Sequence, residues 1–213
     1  MRQTNKRDLW RKRFFILAII NAVVFVGLIF YLYSPVPSKK FDIREKQWET
    51  KTGTEFVIRT SKQNLNDLVN AYLDKLLSQT KQNFTVVLDE DVELYGELPV
   101  FSTTVPLLIR FDPIVQDNGD IALKQKSISV GQLKLPNKKI MQYVDRFLPT
   151  PEWIIIDPKE EEIYIKITEM DIQSNLDVKI EQFDLAKNNI AIRLRVPYET
   201  LGIETLKQLE EEE

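Results

Sequence analysis

Cysteine and histidine are both absent from the 213 residues. Their absence removes disulfides, thiolate and imidazole nucleophiles and bases, and nearly all zinc or iron chemistry. No G-x-S-x-G elbow, Walker loop or dinucleotide fingerprint occurs either. Few catalytic side chains remain, so the expectation is a non-catalytic protein with no cofactor and no metal. A domain without disulfides must be held by its core alone, which is feasible at this size because the buried fraction rises with chain length. No internal repeat or low-complexity run appears before the terminal glutamates, Glu210 to Glu213.

Charge of one sign is also missing from one end. Residues 1–13 hold six basic side chains (Arg2, Lys6, Arg7, Arg11, Lys12, Arg13) against one acid, Asp8. Of 29 basic and 32 acidic residues, 23 and 31 therefore lie beyond that tail, a net of about −8. An acidic domain argues against nucleic acid, whose phosphates recruit basic surfaces, and against electrostatic adhesion to anionic lipid headgroups.

Residues 14–33, FFILAIINAVVFVGLIFYLY, contain no charge at all. Twenty helical residues at ~1.5 Å rise span ~30 Å, the thickness of a bilayer core. Trp10, Phe14 and Phe15 at one end and Tyr31 and Tyr33 at the other suit the headgroup interfaces. A cleavable signal would have a shorter apolar region and a small-residue cleavage site, whereas this run ends in Tyr-Leu-Tyr-Ser-Pro. The expectation is a single-pass anchor in the cell membrane, with the basic N-terminus cytoplasmic and the C-terminal domain extracellular. Asn21 and Gly27 inside the span read as incidental.

Residues 34–52 combine Pro35 and Pro37 with mixed charge and read as an extracytoplasmic linker. The domain is expected over 53–199, followed by an acidic tail over 200–213. Phe56 and Ile58 suggest a strand ending at Thr60. Ser61 then caps a helix whose apolar positions, Leu65, Leu68, Val69, Tyr72, Leu73, Leu76 and Leu77, have helical spacing. Downstream the period becomes 2: Val105, Leu107, Ile109 and Phe111 form one greasy face, then Ile163, Ile165 and Ile167, then Ile190, Ile192, Leu194 and Val196. Alternation with a wet face marks antiparallel sheet. Residues 116–120 and 187–189 supply hairpin turns. A second helix over 138–148 presents Ile140, Met141, Val144, Phe147 and Leu148 and is stopped by Pro149 and Pro151.

Asp89, Glu90, Asp91 and Glu93 form the densest carboxylate cluster. Neighbours in an extended segment point to opposite faces, and an EF-hand's spacing and glycine are missing, so a solvated surface is expected rather than calcium. Asp117 and Asp120 are explained as turn residues. Asn83-Phe84-Thr85 matches a glycosylation sequon, a frequent accident that carries no meaning if the host is bacterial.

Longer segments are more specific. Residues 68–73 (Leu-Val-Asn-Ala-Tyr-Leu), 94–98 (Leu-Tyr-Gly-Glu-Leu) with 101–103, Phe111-Asp112-Pro113 leading to Asn118-Gly119-Asp120, and 129–136 (Ser-Val-Gly-Gln-Leu-Lys-Leu-Pro) resemble the YpmS family of membrane-anchored Gram-positive proteins. The likeness runs from the anchor to about Tyr198, implies a membrane location and brings no established activity; the ending from Glu199 departs from it. The element order is also similar to tubular lipid-binding domains, in which a curved antiparallel sheet wraps a long helix and a lipid lies between them.

The resulting expectation is an α+β protein: an N-terminal transmembrane helix, then a curved antiparallel β-sheet packed on one long and one short helix. One-sided strands outnumber the helices available to cover them, so an apolar groove binding a lipid or other amphiphile is expected. Its candidate lining is Leu65, Leu68, Val69, Tyr72, Leu76, Val105, Leu107, Ile109, Phe111, Ile140, Val144 and Phe147. If the sheet closes on itself instead, the expected role is a bitopic adaptor docking on another cell-envelope protein. The basic excess before Phe14 makes one outcome checkable. Protease added to intact wall-less cells should remove the domain, and cleavage seen only after lysis would reverse the orientation.

Overall fold

The computed structural model describes residues 4–36, 53–80, 83–100, 103–170 and 176–198. The expected linker, from residue 37, and the acidic tail lie outside the described residues. The chain divides into two compact units, Met1–Val36 and Pro37–Glu213.

The first unit is one helix, α1 (Thr4–Tyr33). Its segment Trp10–Tyr33, 24 residues, is long and apolar enough to cross a membrane. The polar group of Asn21 is satisfied within the helix, its amide donating to the Leu17 carbonyl at 2.9 Å. This i−4 bond lets an asparagine sit in an apolar segment without a partner helix.

The second unit contains β1 (Gly53–Thr60), α2 (Lys62–Leu77), β2 (Thr85–Leu88), β3 (Val92–Val100), β4 (Thr103–Val115), β5 (Ile121–Val130), α3 (Asn137–Phe147), β6 (Ile154–Asp157), β7 (Glu162–Ile165), β8 (Asp177–Asp184) and β9 (Asn189–Pro197). All pairings are antiparallel. Where a single sheet was expected there are two: six strands in the order β2-β3-β4-β5-β7-β6 and three in the order β1-β9-β8. Alternation reveals that a strand has one greasy face but not which strands share a ladder, because pairing is set by contacts remote in sequence.

The alternating residues of β4 point as expected, with Leu107, Ile109 and Phe111 buried and Thr104, Pro106, Arg110 and Asp112 exposed. They join Leu94 and Leu98 of β3, Leu123 of β5, Ile140, Met141 and Val144 of α3, and Ile180 and Ile190 of the smaller sheet in one core cluster. The β4–β5 register shifts after Arg110, leaving Lys126 as an extra residue that bends the long hairpin. Gly96 makes room for Phe84: a Cβ there would stand 2.7 Å from the buried ring.

One strand is shorter than its pattern. Ile163 to Thr168 alternates throughout, yet β7 ends at Ile165 and a 3-10 turn follows over Ile167–Glu169. The cause is Asp120. Its buried carboxylate accepts from the Thr168 amide (3.0 Å) and hydroxyl (2.9 Å) on one oxygen, and from the Asn118 amide (2.8 Å) and Tyr164 hydroxyl (3.2 Å) on the other. These four bonds offset the desolvation of the carboxylate only if residue 168 curls back toward it. Next to it, Gly119 takes φ +92° in the β4–β5 turn, and its carbonyl accepts from the Ile180 amide at 2.8 Å. A Cβ on Gly119 would meet Lys179 at 2.5 Å. This turn therefore joins the two sheets.

Burial pushes the Tyr164 hydroxyl up to about 12, and the charge of Asp120 adds to the rise. The unfolded chain loses this proton near ~10. Between those values the folded state retains a proton that the unfolded state has released, so stability should fall as pH rises from about 10 to 12. Tyrosinate absorbance should show a step near pH 12 that Tyr164→Phe removes; a Tyr164→Phe titration curve that keeps this step would sink the assignment.

Candidate apolar binding face

Helix α2 begins because the Ser61 hydroxyl accepts from the Asn64 amide at 3.2 Å, a standard N-cap. What fixes its position is a pair of asparagines one turn apart. Asn70 donates to the Val86 carbonyl (2.7 Å) and accepts from the Val86 amide (2.9 Å), so its carboxamide completes the edge of β2 as a neighbouring strand would. Asn66 accepts from the Leu88 amide at 3.1 Å. At the N-terminus Lys62 reaches the Asp89 carboxylate at 3.1 Å, and its amide donates to Asn188 of the β8–β9 turn.

At ~100° per residue, Asn66, Asn70, Leu73 and Leu77 share one side of the helix. The apolar arc continues past that side. Leu73 and Leu77 are buried; Val69, Leu76 and Leu65, further round, are half-buried; Tyr72 is 37% exposed and Leu68, at the far limit, 66% exposed. The Tyr72 ring lies 5.8 Å from that of Trp153, which immediately precedes β6. α2 thus touches both outer strands of the six-stranded sheet, β2 through asparagines and the start of β6 through aromatic rings. The sheet must curl for this to be so.

The expected groove residues separate into three groups. Leu107, Ile109, Phe111, Ile140 and Val144 are buried in the core, where each packs against protein. Leu65, Val69 and Val105 are half-buried against it, and Leu76 is half-buried. Leu68, Tyr72 and Phe147 carry exposed apolar surface, and Phe147 stacks at 4.6 Å on Tyr143, whose hydroxyl donates to the Glu97 carbonyl of β3. The structure brings Leu65, Leu68, Val69, Tyr72 and Leu76 together on one helix face and adds Trp153, which sequence periodicity missed. Trp153 lies in a turn, where no period operates, and only its place between Pro151 and an apolar run marked it.

The carboxylate cluster diverges. Asp89 pairs with Lys62, Asp91 with Lys126 (2.7 Å) and Glu93 with Arg110 (2.7 Å). The Glu93 hydrogen bond raises the pKa of both Arg110 and Tyr95. Three cations on three elements draw these acids apart, and each pair keeps one partner exposed to solvent, so each is of small worth.

A family model described as "Uncharacterized protein conserved in bacteria (DUF2140)" matches residues 8–196. The chain is 29% identical over 181 residues, 85% of its own length, to "Uncharacterized protein YpmS" of Bacillus subtilis, of which 94% is covered. No solved structure matches.

Docking by asparagine and exposure of leucine predict opposite costs on one helix. Asn70→Leu strands the Val86 amide and carbonyl and should destabilise the domain by about 2 kcal/mol. Leu68→Ala should cost less than ~0.5 kcal/mol. Urea midpoints of the two variants measure both, and similar losses would contradict this docking.

Proposed function

This chain belongs to the DUF2140 family of uncharacterised bacterial proteins, and on that premise we propose that it is a membrane-anchored, non-catalytic module that binds the acyl part of a lipid or similar amphiphile. The helix Trp10–Tyr33 serves as the anchor. The basic excess before it supports a cytoplasmic N-terminus and a folded unit outside.

The observation that carries the reading is the mismatch on α2 between the apolar arc and the covered arc. Leu68 and Tyr72 expose large apolar surface, Leu65 and Leu76 are half covered, and Trp153 lies alongside. A soluble helix normally matches its apolar stripe to what it packs against, and surplus contiguous apolar surface marks a site of interaction. The two flanks of α2 differ in a way that suits this role. On the β2 side hydrogen bonds seal the helix to the strand, whereas on the β6 side aromatic rings meet, and rings can part around an acyl chain without leaving polar groups unsatisfied. An alkyl chain laid there gains about 0.8 kcal/mol per buried methylene. The acidic balance of the domain favours recognition of the tail over electrostatic capture of an anionic headgroup.

The test uses the unit Pro37–Glu213, purified without detergent. Organic extracts should contain a co-purifying amphiphile by mass spectrometry, and a fluorescent fatty-acyl probe should quench Trp153. Tyr72→Ala should weaken probe binding about tenfold, the equivalent of ~1.4 kcal/mol, while lowering stability less than the 3 to 5 kcal/mol typical of a buried aromatic truncation. Absence of both lipid and probe binding would favour the bitopic adaptor over the amphiphile reading.

A further inference from the structure

A different surface carries an independent inference. Sheet edges expose unpaired N–H and C=O groups, and proteins normally cover or blunt them. Here β2 is completed by Asn66 and Asn70, β8 gives its Ile180 amide to Gly119, and β6 is only four residues long and packs beside α3. The outer edge of β1 is treated differently. Among the described residues nothing pairs with it, and it runs for eight residues against β9 without proline or register shift. It carries large apolar side chains on both faces: Phe56 is 52% exposed, Val57 48% and Ile58 48%.

We propose that β1 pairs antiparallel with β1 of a second copy of this chain about a two-fold axis at Val57, joining the two three-stranded sheets into one of six strands. The sequence of the strand selects this occupant. Residues 54–60 read Thr-Glu-Phe-Val-Ile-Arg-Thr, which is complementary to its own reversal. With Val57 opposite Val57 of the other copy, Glu55 faces Arg59, Phe56 faces Ile58 and Thr54 faces Thr60. A two-fold axis at Glu55 or Arg59 would oppose like charges, and one at Phe56 or Ile58 would set one charge against Val57 and the other against Gly53 or Ser61. Only the Val57 register satisfies both charges, and opposite charges across an antiparallel pair are favourable whereas like charges are not.

Backbone parity agrees. Gly53 faces Pro197, which has no N–H, so the residues bonded to β9 are Thr54, Phe56, Ile58 and Thr60. Glu55, Val57 and Arg59 therefore turn their amides and carbonyls to the open edge. The Ile180 amide, aimed away from β9 toward Gly119, fixes the same alternation from the far side of the sheet. Val57 with Val57, and Glu55 with Arg59, then become hydrogen-bonded pairs. Phe56 and Ile58 fall in the closer non-bonded pairs, with Cα atoms ~4.5 Å apart, where apolar side chains pack best.

Nothing among the described residues pairs with Arg59, so it is available to the second copy. Glu55 already accepts from Arg193 (2.8 Å) and Arg195 (2.5 Å), so Arg59 joins a face that also carries Glu181, bonded to Arg193, and Asp177, opposite Arg195. The net repulsion between two domains of like charge is screened beyond ~8 Å at physiological salt. One strand pair is a small interface, and confinement of both copies to one membrane supplies the effective concentration it needs. The first residues of the paired strands stand ~27 Å apart. Residues 37–52 reach at most ~55 Å at full extension, enough for both chains to enter one bilayer.

The chain has no cysteine, so single-cysteine variants of the full-length protein report the register directly. In membranes under mild oxidation, Val57→Cys should form a disulfide-linked dimer, because opposed residues of a bonded pair lie ~5.5 Å apart, within disulfide range. Thr54→Cys, whose copies stand ~20 Å apart, should cross-link at least tenfold less. Adding Arg59→Glu to Val57→Cys should reduce the dimer at least fivefold with the melting temperature unchanged. Equal cross-linking at 54 and 57, insensitivity to Arg59→Glu, or linkage of Val57→Cys only to a different protein would each overturn the proposal.

Discussion

A carboxamide that occupies the place of a β-strand governs the arrangement of this fold. Both backbone groups of Val86 are taken by the side chain of Asn70, and the Leu88 amide by Asn66. Leaving such groups unpaired near the core is costly, so α2 cannot slide or rotate without breaking several bonds at once. Its azimuth is thereby fixed by polar geometry and not by the best burial of its apolar residues. Leu68 and Tyr72 remain outside as a direct consequence, since a helix turned to bury them would withdraw the asparagines from β2.

The same logic operates at the β4–β5 turn. Asp120 holds the 3-10 turn after β7 through Thr168, and the Gly119 carbonyl holds β8 through Ile180. Two adjacent residues thus tie the six-stranded sheet, the smaller sheet and the turn between them. The smaller sheet then buries Val178, Ile180 and Ile190 toward the core, while cover thins across β9 and is lost at β1. Exposure on β1 and exposure on α2 thus fall on different elements, and they support separate roles.

Neither exposed surface resembles a reaction site. Asp89, Asp91 and Glu93 are drawn to cations on different elements, and the buried Asp120 and Tyr164 spend their hydrogen-bonding capacity on each other and on Asn118 and Thr168. Apolar surface and, among the described residues, a strand edge without a partner are means of binding.

Much of the local structure is determined by the sequence alone. Uninterrupted apolarity defines α1, the Ser61 cap and helical spacing define α2, period 2 defines β4 and β9, and the Asn-Gly and Asn-Asn pairs define the turns, because each depends on residues within a few positions of one another. The family-specific segments were legible as well, although their purposes were not: Asn70 stood only as part of such a segment, and Asp120 read as a turn residue. The structure decided what those residues bond, that the strands divide into two sheets, that β7 stops at Ile165, and which apolar residues are core and which are surface. Leu68 and Leu73 are equivalent in hydropathy and both lie on the helical stripe, yet one is exposed and the other buried. Periodicity reports only that a stripe exists, whereas the angle at which it meets the sheet is set by hydrogen bonds sixteen and twenty-two residues away.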